Sequence, residues 1–483
     1  MTIDEWTDAT AMAEDVKNKT VSPRELVEAT IREAERRNPK INAIVSQRYE
    51  KALVEAENRD FSDKPFSGVP IFLKDLGQEQ AGEPSTAGSR LFTGYYAKET
   101  DNYVKKLEEL GFIILGRSST PEFGFKNISD AQIHGTVNLP EDVTRNAGGS
   151  SGGAAALVSS GISPVASASD GGGSIRIPAS FNGLIGLKPT RGRIPVGPIS
   201  FRGWQGASVQ FALTKTVQDT SRLLYHMQTC QMESPFILPK LSKLSLEQAV
   251  RPLKIAFSTV SPVGGKVSES AIKATKKAAR ALETLGHQVH ELNKQPLNGI
   301  EAMQSYYIMN SVETATMFDG IEAGLGRSMT IEDMELMTWA IFQSGQKIPA
   351  KVYTKILSQW DLYSHQMAVF HEVYDILLTP TVADVAPKHG QFVLSGSLQN
   401  QLKHMADFDW LKQQELIWDM FADSLDWTPF TQQANLTGQP SISLPVYRNT
   451  EGLSLGVQLT AAKGREDLLL QLAKQMEECS FFS

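Results

Sequence analysis

Apolar residues along this chain fall into short runs separated by stretches of helical period. Ser22-Pro23-Arg24-Glu25, followed by apolar Leu26, Val27, Ile31 and Ala34, predicts a helix over about 23–37, closed at Asn38-Pro39. Its start is a capping box with proline in the first turn. Behind Gly68, the run Val69-Pro-Ile-Phe-Leu73 predicts a buried strand with Lys74 and Asp75 at its end. A helix over 101–110 stops at Gly111, and 112–115 (FIIL) reads as the next strand. The alternation continues with a strand at 254–258 (KIAFS) and a helix near 267–285; strands follow at 375–378 (DILL) and 455–459 (LGVQL). Helices alternating with short apolar strands imply an α/β fold, a large mixed, mostly parallel central sheet covered by helices on both faces.

Composition narrows the picture. The chain has 483 residues, 41% hydrophobic and 21% charged, which is ordinary for globular protein. A net charge of −7 gives no basic surface for nucleic acid or an anionic membrane. The acidic N-terminal stretch lacks the apolar segment of a leader, and no run of eighteen apolar residues occurs, so no membrane span is expected. Cys230 and Cys479 stand far apart and make no disulfide framework, which points to a cytoplasmic address. No shift of composition marks a linker, and one domain over 1–483 is expected.

The chemistry concentrates between Gly148 and Ala179, a stretch rich in glycine and serine that carries only two charged side chains, Asp170 and Arg176. Residues 153–160 read as a helix and 164–167 as a strand, so the glycine clusters occupy structured turns rather than a linker. Glycines at such turns let backbone N–H groups converge on one point. A phosphate loop needs a Lys-Ser/Thr pair after its last glycine, and a dinucleotide turn needs an acid about twenty residues on; neither pattern is met. An oxyanion hole beside Ser174 fits better. None of the eight histidines has a setting that suggests a base, and His287 and His290 read as surface positions without further metal ligands. A buried lysine serves as a base once burial strips its proton, and Lys74 at its strand end is the candidate.

These residues then meet a resemblance. Gly68-Val-Pro-Ile-Phe-Leu-Lys74-Asp75, Gly148-Gly-Ser-Ser-Gly-Gly153, Asp170-Gly-Gly-Gly-Ser-Ile-Arg-Ile-Pro178 and Gly186-Leu-Lys-Pro-Thr190 resemble, in order and spacing, the amidase signature family. Leu378-Thr-Pro-Thr381 and Gly438-Gln-Pro-Ser-Ile-Ser-Leu-Pro445 resemble its C-terminal landmarks, so the similarity spans nearly the whole chain. The closing GREDLLLQLA is similar to a branch that includes hydrolases of cyclic amide (nylon) oligomers. The resemblance implies an amide hydrolase with Ser174 as nucleophile, Ser150 as bridging serine behind a cis Gly149–Ser150 peptide, and Lys74 as terminal base. Backbone N–H groups of Gly171, Gly172, Gly173 and Ser174 would form the oxyanion hole, with Ser151, Asp170 and Arg176 in support. No cofactor and no metal is implied; the expected partners are a small-molecule amide and, as a homodimer, a second copy. The catalytic core would occupy about 65–195 and a variable pocket region about 230–430. Where this chain has Gly171, the family usually has threonine, isoleucine or alanine.

Other readings fit less of the sequence. Gly148-x-Ser150-x-Gly152 matches a nucleophile elbow but leaves Asp170–Ser174 without a role. Ser270-x-x-Lys273 lies in a lysine- and alanine-rich helix. The A subunit of the tRNA-dependent amidotransferase shares the triad, but 138–146 and 191–198 depart from its usual form. A catalytically dead binding scaffold would keep no need for all three triad residues. For the pocket, Asn310, Trp339 and Trp418 are the candidate walls, with Tyr306, Tyr307, Phe342, Phe408 and Trp410 as further aromatics nearby in sequence.

Overall fold

A computed structural model describes residues 8–483. Its strands are β1 (Ile44–Gln47), β2 (Pro70–Lys74), β3 (Ile113–Ser118), β4 (Val165–Asp170), β5 (Ile185–Lys188), β6 (Val209–Thr214), β7 (Lys254–Phe257), β8 (Gln288–Glu291), β9 (Ile376–Pro380), β10 (Ser441–Arg448) and β11 (Ser454–Ala461). They join in one sheet of order β1-β3-β2-β4-β6-β5-β10-β11-β9-β7-β8. Every residue of β2, β3, β4, β5, β9 and β11 is buried, so the centre of the sheet is covered on both faces.

The sheet is mixed, and its balance leans antiparallel. Four neighbour pairs run parallel (β2–β3, β2–β4, β7–β8, β7–β9) and six antiparallel. One cause is a hairpin: β10 and β11 close through Asn449–Leu453, where Asn449 N–H donates to Leu453 O at 2.9 Å and Gly452 takes a φ of +83°. The part that matters for the site is parallel. β2 and β4 pair with Phe72 opposite Ala166, so their carboxyl ends, Lys74 and Asp170, emerge at the same edge.

Ser22 caps the helix Pro23–Ile41 through the expected box, its hydroxyl accepting from Glu25 N–H. That helix runs past Asn38-Pro39, because a proline in the last turn removes one bond only and Asn38 Oδ1 accepts the following N–H groups of Ala43 and Ile44. His287 is buried rather than on the surface; its Nδ1 accepts from Leu253 N–H at 3.1 Å and its Nε2 lies 2.9 Å from Gln475 Oε1.

A second apolar core forms away from the sheet. The helices Gly299–Leu325, Leu336–Gly345, Ala350–Val373 and Trp410–Trp427 enclose Met309, Phe318, Phe342, Trp360 and Phe421. Among the described residues, no helix is long and apolar enough to cross a membrane. A cleft lies where this helical unit meets the edge bearing Lys74 and Asp170.

Candidate active site

Lys74 ends β2 fully buried, with its Nζ 2.7 Å from Ser150 Oγ and 2.9 Å from Ser169 Oγ. Its backbone is fixed on both sides: the N–H donates to Gln78 Oε1 at 2.7 Å, and Arg117 donates to the carbonyl at 3.0 Å. Burial brings the ammonium down to about 7, against a smaller opposing pull from Asp170. The uncharged Lys74 amine, able to accept a proton, is therefore within reach near neutrality.

Ser150 and Ser151 stand immediately before the helix Gly152–Ser159, and the Gly149–Ser150 peptide is cis. A side chain at Gly149 would meet the backbone of Ile128 at 2.6 Å, so only glycine lets the loop pass there. Ser151 knits the site together. Its N–H donates to Ser174 O (3.3 Å) and its hydroxyl to Ser169 O (3.2 Å), tying the serine turn to the end of β4 and to the loop beyond it.

That loop is organised around Asp170. The Asp170 carboxylate accepts from the N–H groups of Gly173 (2.8 Å) and Ile175 (3.2 Å), from Arg176 Nε and Nη2 (both 2.9 Å), and from Asn435 Nδ2 (2.8 Å). Burial alone would raise its pKa, but Arg176, Asn435 and Lys188 together hold the carboxyl well below the usual carboxylate range. Arg176, also fully buried, spends its remaining donors on Thr431 O, Gln458 Oε1 and Asn435 Oδ1 at 2.7–2.8 Å. Such a pair is costly to break: removing one partner strands a buried charge, worth about 3–5 kcal/mol.

Two carbonyls of the glycine loop are each held by a side-chain hydroxyl. Tyr306 donates its hydroxyl to Gly171 O (3.1 Å) and Thr431 to Gly172 O (2.7 Å). Because C=O and the next N–H point oppositely across a trans peptide, the N–H groups of Gly172 and Gly173 face the other way. Gly173 N–H is taken by Asp170, so it holds the loop rather than waiting for a ligand. Among the described residues, the N–H groups of Gly171, Gly172 and Ser174 have no acceptor in the chain.

Ser174, 8% exposed, opens into a cleft lined by Gly124, Phe125, Asn127, Gly172, Trp204, Met303, Tyr306, Tyr307, Asn310, Phe421 and Gln432. Of the expected walls, Asn310 lines this cleft. Trp418 stands behind it, edge-on to Tyr307 at 6.1 Å. Trp339 does not line it, packing edge-on to Phe342 at 6.0 Å, since the helix Leu336–Gly345 turns that face into the second core. Ser169, Thr431, Gln432 and Asn435 were not anticipated. For Ser169 a signal existed, because strand alternation puts Ser167 and Ser169 on one face of β4. The other three come from a segment some 255 residues beyond the glycine loop, a pairing only the fold makes.

Residues 25–470 match the family model described as "Amidase". The chain is 38% identical over 462 residues to the lipoamidase of Enterococcus faecalis, an alignment covering 96% of this chain and 62% of that protein, so it spans under two thirds of that relative's length. It is 33% identical over 484 residues to the 6-aminohexanoate-cyclic-dimer hydrolase of Pseudomonas sp. (strain NK87), covering 98% and 95% of the two. A solved structure of 6-aminohexanoate cyclic dimer hydrolase complexed with substrate superposes with a TM-score of 0.90 at 32% identity, over 98% of this chain and 97% of that one. The chain thus belongs to the amidase family, the amidase signature hydrolases that act on carbon–nitrogen bonds.

Proposed function

We propose that this chain hydrolyses a carboxamide through an acyl-enzyme on Ser174, armed by Ser150 and Lys74. The carrying observation is the Lys74 amine, buried, brought to about 7 by desolvation and 2.7 Å from Ser150 Oγ. Neutral Lys74 takes the Ser150 proton as Ser150 takes that of Ser174, and Ser174 Oγ bonds to the carbonyl carbon. The oxygen becomes an oxyanion facing the N–H groups of Gly171, Gly172 and Ser174, donors of a kind worth about 3–4 kcal/mol each when removed. As the C–N bond breaks, Ser150 returns a proton to the nitrogen and Lys74 reprotonates Ser150, so the amine leaves neutral. Water then gives a proton to the same relay, its oxygen bonds to the acyl carbon, and Ser174 leaves with a hydrogen restored. The net change is amide plus water to carboxylic acid plus amine.

The cleft walls are largely aromatic and apolar, with Asn127, Asn310 and Gln432 as polar points. They favour an aliphatic acyl chain, as in lipoamide- and 6-aminohexanoate-type amides, the substrates named for the two relatives above. The test is a panel of lipoyl and 6-aminohexanoyl amides, primary amides, anilides and esters offered to the purified chain, with released amine quantified. Turnover of aliphatic amides by the chain alone supports the reading. Turnover only with added partner subunits would instead favour an amidotransferase component.

A further inference from the structure

The short turn Gly203–Gly206 carries two non-glycine residues in the left-handed region, Trp204 (φ 46°) and Gln205 (φ 50°). L side chains rarely adopt that backbone, and it persists only where the surroundings hold it. Here two anchors do so. Gln205 Nε2 donates to Tyr353 Oη (2.9 Å) and Glu313 Oε1 (3.1 Å), fastening the turn to the helices Gly299–Leu325 and Ala350–Val373. On the other side Arg191 Nε donates to Gly206 O at 2.8 Å, while its Nη2 is tied to Asn435 O and Leu436 O.

The outcome is a fixed indole in the cleft. Trp204 is partly buried, lies parallel to the Phe125 ring (centroids 6.2 Å, 8°) and meets Tyr306 edge-on at 6.1 Å. Its ring also covers the first glycine of the nucleophile loop. A Cβ at Gly171 would stand 2.8 Å from Trp204 Cζ3 and 3.0 Å from Cε3, closer than real side chains come. The indole in this place and a side chain at position 171 exclude one another. This gives a physical reason for a glycine where the resembling family usually carries threonine, isoleucine or alanine.

The ring's position assigns it a side of the substrate. The leaving nitrogen must lie toward Ser150, which returns its proton, and the neighbouring Ser151 N–H is bonded to Ser174 O at 3.3 Å. Gly171, itself one of the oxyanion donors, is at the loop's other end, under the Trp204 ring. We propose that Trp204, given room by the bare Gly171, is a specificity-determining residue that presses on the acyl side of the scissile carbonyl and selects unbranched acyl chains. This inference rests on the acyl-enzyme reading above.

The test compares hexanoyl and 2-methylhexanoyl amides of one amine, then amides of hexanoic acid with a straight and a branched amine. The unmodified chain should prefer the straight acyl group. Trp204→Ala should reduce that preference by about tenfold or more, the range one methyl commands in a shaped pocket. Trp204→Leu, which keeps an apolar cover should the smaller residue unsettle the turn, should reduce it partially. The amine-side preference should not change. An acyl preference unmoved in both variants, or a change confined to the amine series, overturns the assignment. Labelling of Ser174 by a small phosphonate, read by mass spectrometry in all three proteins, separates the two readings. No label in the unmodified chain overturns the acyl-enzyme itself, whereas normal labelling with unmoved acyl preference overturns only the role of Trp204.

Discussion

The two sides of the cleft are built on opposite principles. On the sheet side, Lys74, Ser150, Asp170 and Arg176 are buried polar groups, each bonded to named partners, and even the loop carbonyls are tied back by Tyr306 and Thr431. On the helical side, Met303, Tyr307 and Phe421 meet through apolar and ring contacts, such as the parallel stack of Tyr307 on Phe421 at 5.0 Å. Directional bonds fix atoms to fractions of an ångström, as proton transfer needs. Apolar packing fixes volume and tolerates exchange, as substrate choice needs. Damage to the first side should therefore appear in kcat, and damage to the second in selectivity.

The largest losses belong to the polar side. Ser174→Ala should lower kcat on the order of a thousandfold or more with an unchanged melting curve, whereas substantial residual turnover would move the nucleophile elsewhere. Lys74→Ala should cost about a hundredfold or more, and Lys74→Arg should not restore it because a guanidinium keeps its proton. Recovery by arginine, measured as kcat/KM at pH 8, would reduce Lys74 to an electrostatic part.

Stability should respond with the opposite sign. The Lys74 amine is held at about 7 against an ordinary 10.5, so between those values the unfolded chain binds more protons than the folded one. Stability then rises with pH across that window. The burial costs roughly 4 kcal/mol at pH 7 by the same linkage. Lys74→Met should remove both the cost and the pH dependence, giving an inactive protein that melts higher at pH 7; a lower melting temperature in urea and thermal scans would argue against it. A smaller effect is expected at Gly173, whose φ is +128° and where a Cβ would lie 2.2 Å from Thr431 Oγ1. Gly173→Ala should lose about 1–3 kcal/mol of stability, with kcat falling more than KM rises. Smallest of all, Trp418→Ala, behind Tyr307, should shift KM several-fold and leave kcat nearly untouched.

The same contrast explains what could be read from the chain beforehand. The strand bearing Lys74, the helix after Ser150 and Ser151, and the turn at Asp170–Ser174 were legible because buried strands and glycine turns permit few alternatives locally. Around Gly149 and Gly173 the backbone passes so close to its neighbours that no other residue fits. The helical side was not legible in that way. Trp339 and Tyr306 both belong to apolar helix faces, and periodicity does not separate a ring that lines a cleft from one that packs a core. Thr431, Gln432 and Asn435 were invisible for a different reason: they reach the glycine loop and its cleft from far along the sequence. Pro39 and His287 misled because local rules at each position yielded to hydrogen bonds made by Asn38 and Gln475.

An uncharged Lys74 should drive the acylation of Ser174. The most direct measurement is the rate of Ser174 modification by a small phosphonate as a function of pH, in the unmodified chain and in Lys74→Met. The expected profile rises with pH through a single ionisation near 7 and vanishes in the variant. A rate that is flat from pH 5 to 9, or a rise that survives the loss of the amine, would contradict it.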